Sequence, residues 1–225
     1  MSGILSVVAT PIGNLEDMTL RALRILKEAD AVACEDTRVT GQLLKHLEIE
    51  KPLLAVHQHT ADSALDKICA RIAAGERVAY VSDAGTPGVN DPGGKLVAQV
   101  LEAGLKVEVI PGVSALTAGI SVCGFPMERF HYVGFIPHKN GKQTLLREIA
   151  ADEEPSLFFE STHRILKTLE QLKGSYGETR LIFVGRELTK KFETLYRGTI
   201  DEVLAALQSG ETRGEFVVIT APADF

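Results

Sequence analysis

Three cysteines, Cys34, Cys69 and Cys123, are few, far apart and odd in number. They fit neither a disulfide framework nor a CxxC metal site, and read as reduced thiols in the core of a cytoplasmic protein. Positive charge is also scarce: 24 Lys and Arg stand against 30 Asp and Glu, for a net charge of −6. Up to Phe125 there are 11 basic and 15 acidic residues, and after it 13 and 15, so neither half is a basic arm. A general nucleic-acid coat would need clustered Lys and Arg, so any nucleic-acid site must be a local patch. The N-terminal MSGILSVVAT has no basic segment before its apolar run, and no signal peptide is expected. The charge-free stretch from Val109 to Met127 is long enough to raise a membrane span. Its two prolines, three glycines and hydroxyl residues favour a buried soluble segment instead.

The common nucleotide signatures are missing as well. No GxGxxG follows the first apolar run and no GxxxxGK[ST] occurs, which argues against a dinucleotide Rossmann site or a P-loop. GTPG, from Gly85 to Gly88, matches a GxxG spelling, but its strand-to-loop setting is not that of a KH domain. His57 and His59 of VHQHT have no third ligand spaced nearby, so no metal site is expected. Neither an internal repeat nor a low-complexity tract is visible.

What is present is an alternation. Hydrophobic residues make up 45% of the chain, ample for a packed core. Up to Phe125, ILSVVATPI, AVACED, PLLAVH, RVAYVSD and KVEVIPG read as strands, each followed by a helical pattern. Such an order predicts a parallel sheet covered on both faces. After GFPMERF a second series follows, FHYVGFIP, SLFFES, RLIFVGRE, TLYRG and EFVVITAP, with strands more closely spaced near the end, as in a mixed sheet. The expected organisation is therefore an α/β chain of two domains, 1–125 carrying the ligand loops and 126–225 with a mixed sheet.

Ligands of open α/β sheets sit beyond the carboxyl ends of the strands. TPIGN, CEDTR, SDAGTPG and PGVSA fall at such ends, as a ring of loops around one place. In YVSDAGTPGVNDPGG, four glycines and two prolines allow close backbone approach and stiffen the loop. An ordinary long turn with Asp91 capping the next helix explains Asp91 and Pro92, but not Asp83 or the first two glycines. Asp36 of CEDTR reads as a helix cap beside an exposed arginine, or with Glu35 as a proton acceptor or ribose ligand next to a phosphate-binding Arg38. FFESTHR and VGREL repeat the arrangement, with Glu160 beside Arg164 and Glu187 beside Arg186.

Taken in order, ATPIGN, CEDTR, YVSDAGTPGVNDPG, VIPGVSA, FFESTHR and GRELTK resemble the ribosomal RNA small subunit methyltransferase I family, in the tetrapyrrole methylase superfamily. The resemblance runs from Val8 to Lys190 and on through GEFVVI. It implies a two-domain tetrapyrrole methylase-like fold that binds S-adenosylmethionine, works as a homodimer without metal, and methylates the ribose 2′-hydroxyl of a cytidine in the decoding region of 16S rRNA, within the small ribosomal subunit. By motif, it implies that Pro11, Asp83, Ala84, Gly85, Val89, Ser114 and Ala115 line the cofactor site, closed by Phe159, Glu160, Leu188 and Phe216. Glu35, Asp36 and Glu160 are the implied proton acceptors, with Arg38, Arg164 and Arg186 orienting phosphates or the base. The family commonly carries a helical extension after this region, and an Asn and a Glu soon after the histidines of VHQHT, neither of which is found here. Two other readings stay open: a methyltransferase of tetrapyrrole precursors, and a non-catalytic RNA-binding factor on the same fold.

Overall fold

Each of those apolar runs becomes a strand in the computed structural model, which describes residues 3–91, 93–177 and 179–225. The chain divides into two units, Met1–Ser114 and Ala115–Phe225. In the first, β1 (Ile4–Val8), α1 (Leu20–Glu28), β2 (Ala31–Cys34), α2 (Thr37–His46), β3 (Leu53–Ala55), α3 (Asp62–Ala73), β4 (Arg77–Val81), α4 (Gly93–Glu102) and β5 (Lys106–Ile110) follow in turn. The strands form an all-parallel sheet in the order β3-β2-β4-β1-β5. Alternation along β4 shows why helices cover both faces. Ala79 and Val81 join Ala22, Ile25 and Leu26 of α1 and Leu44 of α2. Val78 and Tyr80 join Leu65, Ile68 and Ile72 of α3 and Leu96 and Val100 of α4. Each of these large apolar side chains contributes roughly 1.5–3 kcal/mol by burial.

The second unit contains α5 (Ala115–Cys123), β6 (His131–Phe135), α6 (Lys142–Ala151), β7 (Ser156–Ser161), α7 (Ile165–Tyr176), β8 (Leu181–Arg186), β9 (Thr194–Thr199), α8 (Ile200–Ser209) and β10 (Glu215–Thr220). Its sheet runs β6-β7-β10-β8-β9, with β6 and β7 parallel and the other neighbours antiparallel. Phe158, Val184, Phe216 and Val218 face a core built with α6, α7 and α8. On the opposite face lies α5, where a Cβ on Gly119 would come within 2.8 Å of Val217 Cγ1.

The division falls at Ser114, upstream of the GFPMERF turn where the sequence suggested a boundary. The reason is α5, which reads as the last helix of the first alternation but packs on β10 and β8. The charge-free stretch around it is broken into the end of β5, the PGVS loop and a nine-residue helix. Among the described residues no helix is long and apolar enough to cross a membrane. Cys34, Cys69 and Cys123 are free and buried.

Candidate active site

Parallel strands all end on the same edge, so the loops after β1, β2, β4 and β5 meet there, and the hydrogen bonds between them are specific. Thr10 and Gly85 exchange backbone bonds, Thr10 N to Gly85 O at 2.9 Å and Gly85 N to Thr10 O at 3.0 Å. Thr86 Oγ1 donates to Val113 O at 2.9 Å, tying the β4 loop to the β5 loop. The backbone N–H of Asp36 donates to Asp83 Oδ1 at 3.0 Å, tying it to the β2 loop. Gly85 stands where these segments crowd: its φ is +81°, and a Cβ there would meet Ile12 Cγ2 at 3.1 Å and Val113 O at 3.5 Å. Gly88, with φ +93°, has open space where a Cβ would stand. One glycine thus serves loop packing and the other leaves room beside the backbone.

The carboxylates of this edge differ in charge environment. Asp36 caps α2, its Oδ1 accepting from Arg38 N at 2.8 Å, while the Arg38 fork grips the same carboxylate with Nη2 2.6 Å from Oδ2. These bonds hold the Asp36 carboxyl down at about 2. Arg38 otherwise projects outward, its side chain 86% exposed. Glu35, next in the chain, is driven the other way: loss of hydration on burial raises its pKa first, and the charges of Asp83, Asp91 and Asp36 raise it further. Asp91 accepts from Gly88 N at 2.6 Å, Gly93 N at 2.8 Å and the hydroxyl of buried Tyr80 at 3.2 Å, so it folds the loop as well as opening α4.

In the second unit the implied residues fall on two faces of one sheet. Glu160, Phe216 and Arg186 are laterally paired across β7, β10 and β8, on the face covered by α6, α7 and α8. Glu160 is only 1% exposed. Its Oε2 accepts from Thr168 Oγ1 at 2.7 Å and lies 3.2 Å from Arg164 Nη2, and Thr168 Oγ1 accepts from Lys142 Nζ at 2.9 Å. Burial pushes the Lys142 pKa down, against the opposing pull of Glu160. Arg164 also donates to the carbonyls of Ile136 and Pro137. Arg186 is held by Arg213 O at 2.7 Å and Phe192 O at 3.0 Å. Phe159 lies on the other face, as does Leu188, whose Cδ2 fills the space a Cβ on Gly185 would need.

A family model described as Tetrapyrrole (Corrin/Porphyrin) Methylases matches residues 5–204. Ribosomal RNA small subunit methyltransferase I of Synechocystis sp. is 43% identical over 222 residues, covering 98% of this chain and 80% of the relative. The chain belongs to this family. The Thermotoga maritima member is 39% identical and is covered over 97% of its own length. The native uroporphyrin III C-methyl transferase of Thermus thermophilus superposes with a TM-score of 0.66 at 22% identity, with 97% of each chain covered, a likeness of fold. The two-domain tetrapyrrole methylase-like fold implied by the motifs is therefore the fold of this chain.

Within this family framework, Pro11, Glu35, Asp36, Asp83, Ala84, Gly85, Val89 and Ser114 belong to the loops at one sheet edge, Arg38 lies in the first turn of α2, and Ala115 opens α5. Sequence reasoning passed over Thr10 and Thr86, which lock the loops, and Lys142 and Thr168, which complete the Glu160 network. Thr10 and Thr86 sit inside quoted motifs, so hydroxyl residues there were a usable signal. Nothing local marks Lys142 or Thr168, since their meeting depends on α6 packing against α7. His57 and His59 are exposed in the loop after β3, where His57 N donates to Thr60 Oγ1 at 2.8 Å.

Proposed function

We propose that this methyltransferase uses S-adenosylmethionine to methylate the ribose 2′-hydroxyl of a cytidine in the decoding region of 16S rRNA, within the small subunit. It acts in the cytoplasm as a homodimer. The observation that carries the reading is the meeting of the β1, β4 and β5 loops at Gly85, with the β2 loop joined to Asp83, Glu35 under the influence of the Asp83 charge, and open space beside Gly88. The names of the relatives supply the RNA class.

The donor set suits such a cofactor. Asp83, Gly88 and the PGVSA loop would hold it, because a carboxylate and the side-chain-free space at a glycine suit close approach of a compact ligand with an ammonium group and a sulfonium. When bound, S-adenosylmethionine supplies an electrophilic methyl group, so no metal is required. Glu35 accepts the ribose hydroxyl proton at its carboxylate, since its raised pKa makes it the better base of the pair with Asp36. Arg38, the exposed arginine of the edge, faces RNA phosphate by exchanging its hold on Asp36, a surface pair worth little. Arg164 and Arg186 act inside the second unit, where backbone carbonyls already engage them.

Calorimetric titration with S-adenosylmethionine, followed by labelled methyl transfer to small subunits lacking ribose methylation, tests the proposal. Asp83→Ala is expected to weaken cofactor binding, whereas Arg38→Ala keeps it and loses RNA methylation. Unchanged cofactor affinity in Asp83→Ala would remove the loop assignment, and transfer to a tetrapyrrole precursor instead of RNA would change the substrate class.

A further inference from the structure

Strand β6 is an edge strand, and its pairing with β7 shifts register between Tyr132 and Gly134. In a regular strand residues three apart point to opposite faces. The bulge, with buried Gly134 at φ +76°, cancels that alternation, so Tyr132 and Phe135 both reach the ring of Phe159. Their centroids lie 5.6 Å from that of Phe159, at 67° and 61°. Phe135 is 57% exposed and Tyr132 36%. The helices that cover the other face lie on the side of Phe158, and α5 packs on β10 and β8, so this corner of the sheet keeps its aromatic surface open.

The surroundings are selective in charge. In a chain of net charge −6, no Asp or Glu occurs from Phe130 through Arg147, and His138 and Lys139 follow Phe135 in the loop after β6. His131, at the far end of β6, faces Asp152 and Glu154, so the acidic contacts of this strand lie at the end away from Phe135. Arg164 fixes that side from beneath, donating to the carbonyls of Ile136 and Pro137 while paired with buried Glu160.

We propose that Tyr132 and Phe135, buttressed by Phe159, form a stacking platform for unpaired nucleobases of the RNA substrate. Open aromatics on a sheet face beside cationic side chains are the means by which single-stranded RNA is held, each base stacking on a ring while the cations meet phosphate. The proposal rests on the RNA reading of the function and adds where unpaired bases are gripped.

The test is the KM for small subunits lacking ribose methylation and the affinity for unstructured polycytidine RNA, in wild type and in Phe135→Leu, Phe135→Trp and Tyr132→Ala. Phe135→Leu keeps apolar bulk but has no aromatic face, and Phe135→Trp restores one. Loss of a stacked base is expected to raise KM and weaken RNA binding roughly tenfold in Phe135→Leu and Tyr132→Ala. Phe135→Trp is expected to match wild type, and S-adenosylmethionine affinity to hold in all three. Wild-type values in Phe135→Leu and Tyr132→Ala overturn the platform while leaving the RNA reading intact. Lost cofactor affinity assigns the rings to the cofactor's adenine, and a changed oligomeric state with unchanged RNA binding assigns them to a second copy; either overturns it. A wild-type protein that methylates no RNA removes the substrate reading and the platform with it.

Discussion

Glu35 and Asp36 are neighbours in the chain and opposites in chemistry. The arginine fork and the helix N-terminus stabilise the Asp36 carboxylate and hold it at about 2, which makes it a poor base. Burial and three nearby carboxylates hold the Glu35 proton more tightly. A base must be ionised to act, so methyl transfer is expected to fall as pH is lowered through the raised Glu35 value, above the range of an ordinary glutamate. Glu35→Gln should lower kcat by about a hundredfold and remove that acid limb. A pH profile of labelled methyl transfer reads both effects, and an unchanged limb in the variant would move the base elsewhere. The linked effect on stability has the opposite sign. A glutamate whose folded pKa is raised binds its proton more tightly in the native state, so stability is lost as pH rises from the unfolded value through the folded one. Glu35→Gln should therefore raise Tm at neutral pH. In the sequence both residues were legible as acids at a strand end, but choosing between them needed Asp83 and Asp91, which reach Glu35 from the β4 loop.

At the scale of elements, β7 shows how one strand serves two surfaces. Phe158 and Glu160 point into the core beneath α6 and α7, and Phe159 between them faces the open side with Tyr132 and Phe135. The FFESTHR motif was legible as a strand ending in charged residues, and its period of two was visible. Which face was buried was not, because that depends on where α5, α6 and α7 settle. Lys142, Thr168, Glu160 and Arg164 form one chain of contacts, so removing the buried carboxylate takes the ion-pair partner from Arg164 and the acceptor from the Thr168 hydroxyl to which Lys142 donates. Glu160→Ala is expected to cost about 3–5 kcal/mol, measured as a shift in the urea midpoint at unchanged m-value. A shift within 0.5 kcal/mol, to order of magnitude the range of a surface substitution, would mean the network does not hold α7 to the sheet.

For the whole molecule, the charge balance bears on the form of the proposed RNA target. With net charge −6 the chain carries little of the overall positive charge from which a basic RNA binder draws counterion-release affinity, which favours a preorganised target held by a few local contacts. Intact small subunits are therefore expected to accept methyl groups far better than protein-free 16S rRNA under the same salt. Equal rates on both would show that assembled shape is not needed.

The sequence by itself determined the order of strands and helices, because apolar periodicity and turn residues act over a few positions. It also determined the family, because six ordered motifs survive as letters regardless of packing. Only the tertiary structure decided that α5 belongs with the second unit, that Gly85 serves loop packing while Gly88 stands beside open space, and that Arg164 reaches the buried Glu160. The bulge that brings Tyr132 and Phe135 to the same face was decided there as well. Each of these depends on which surfaces, far apart in the chain, exclude water from one another, and no local pattern of residues encodes that.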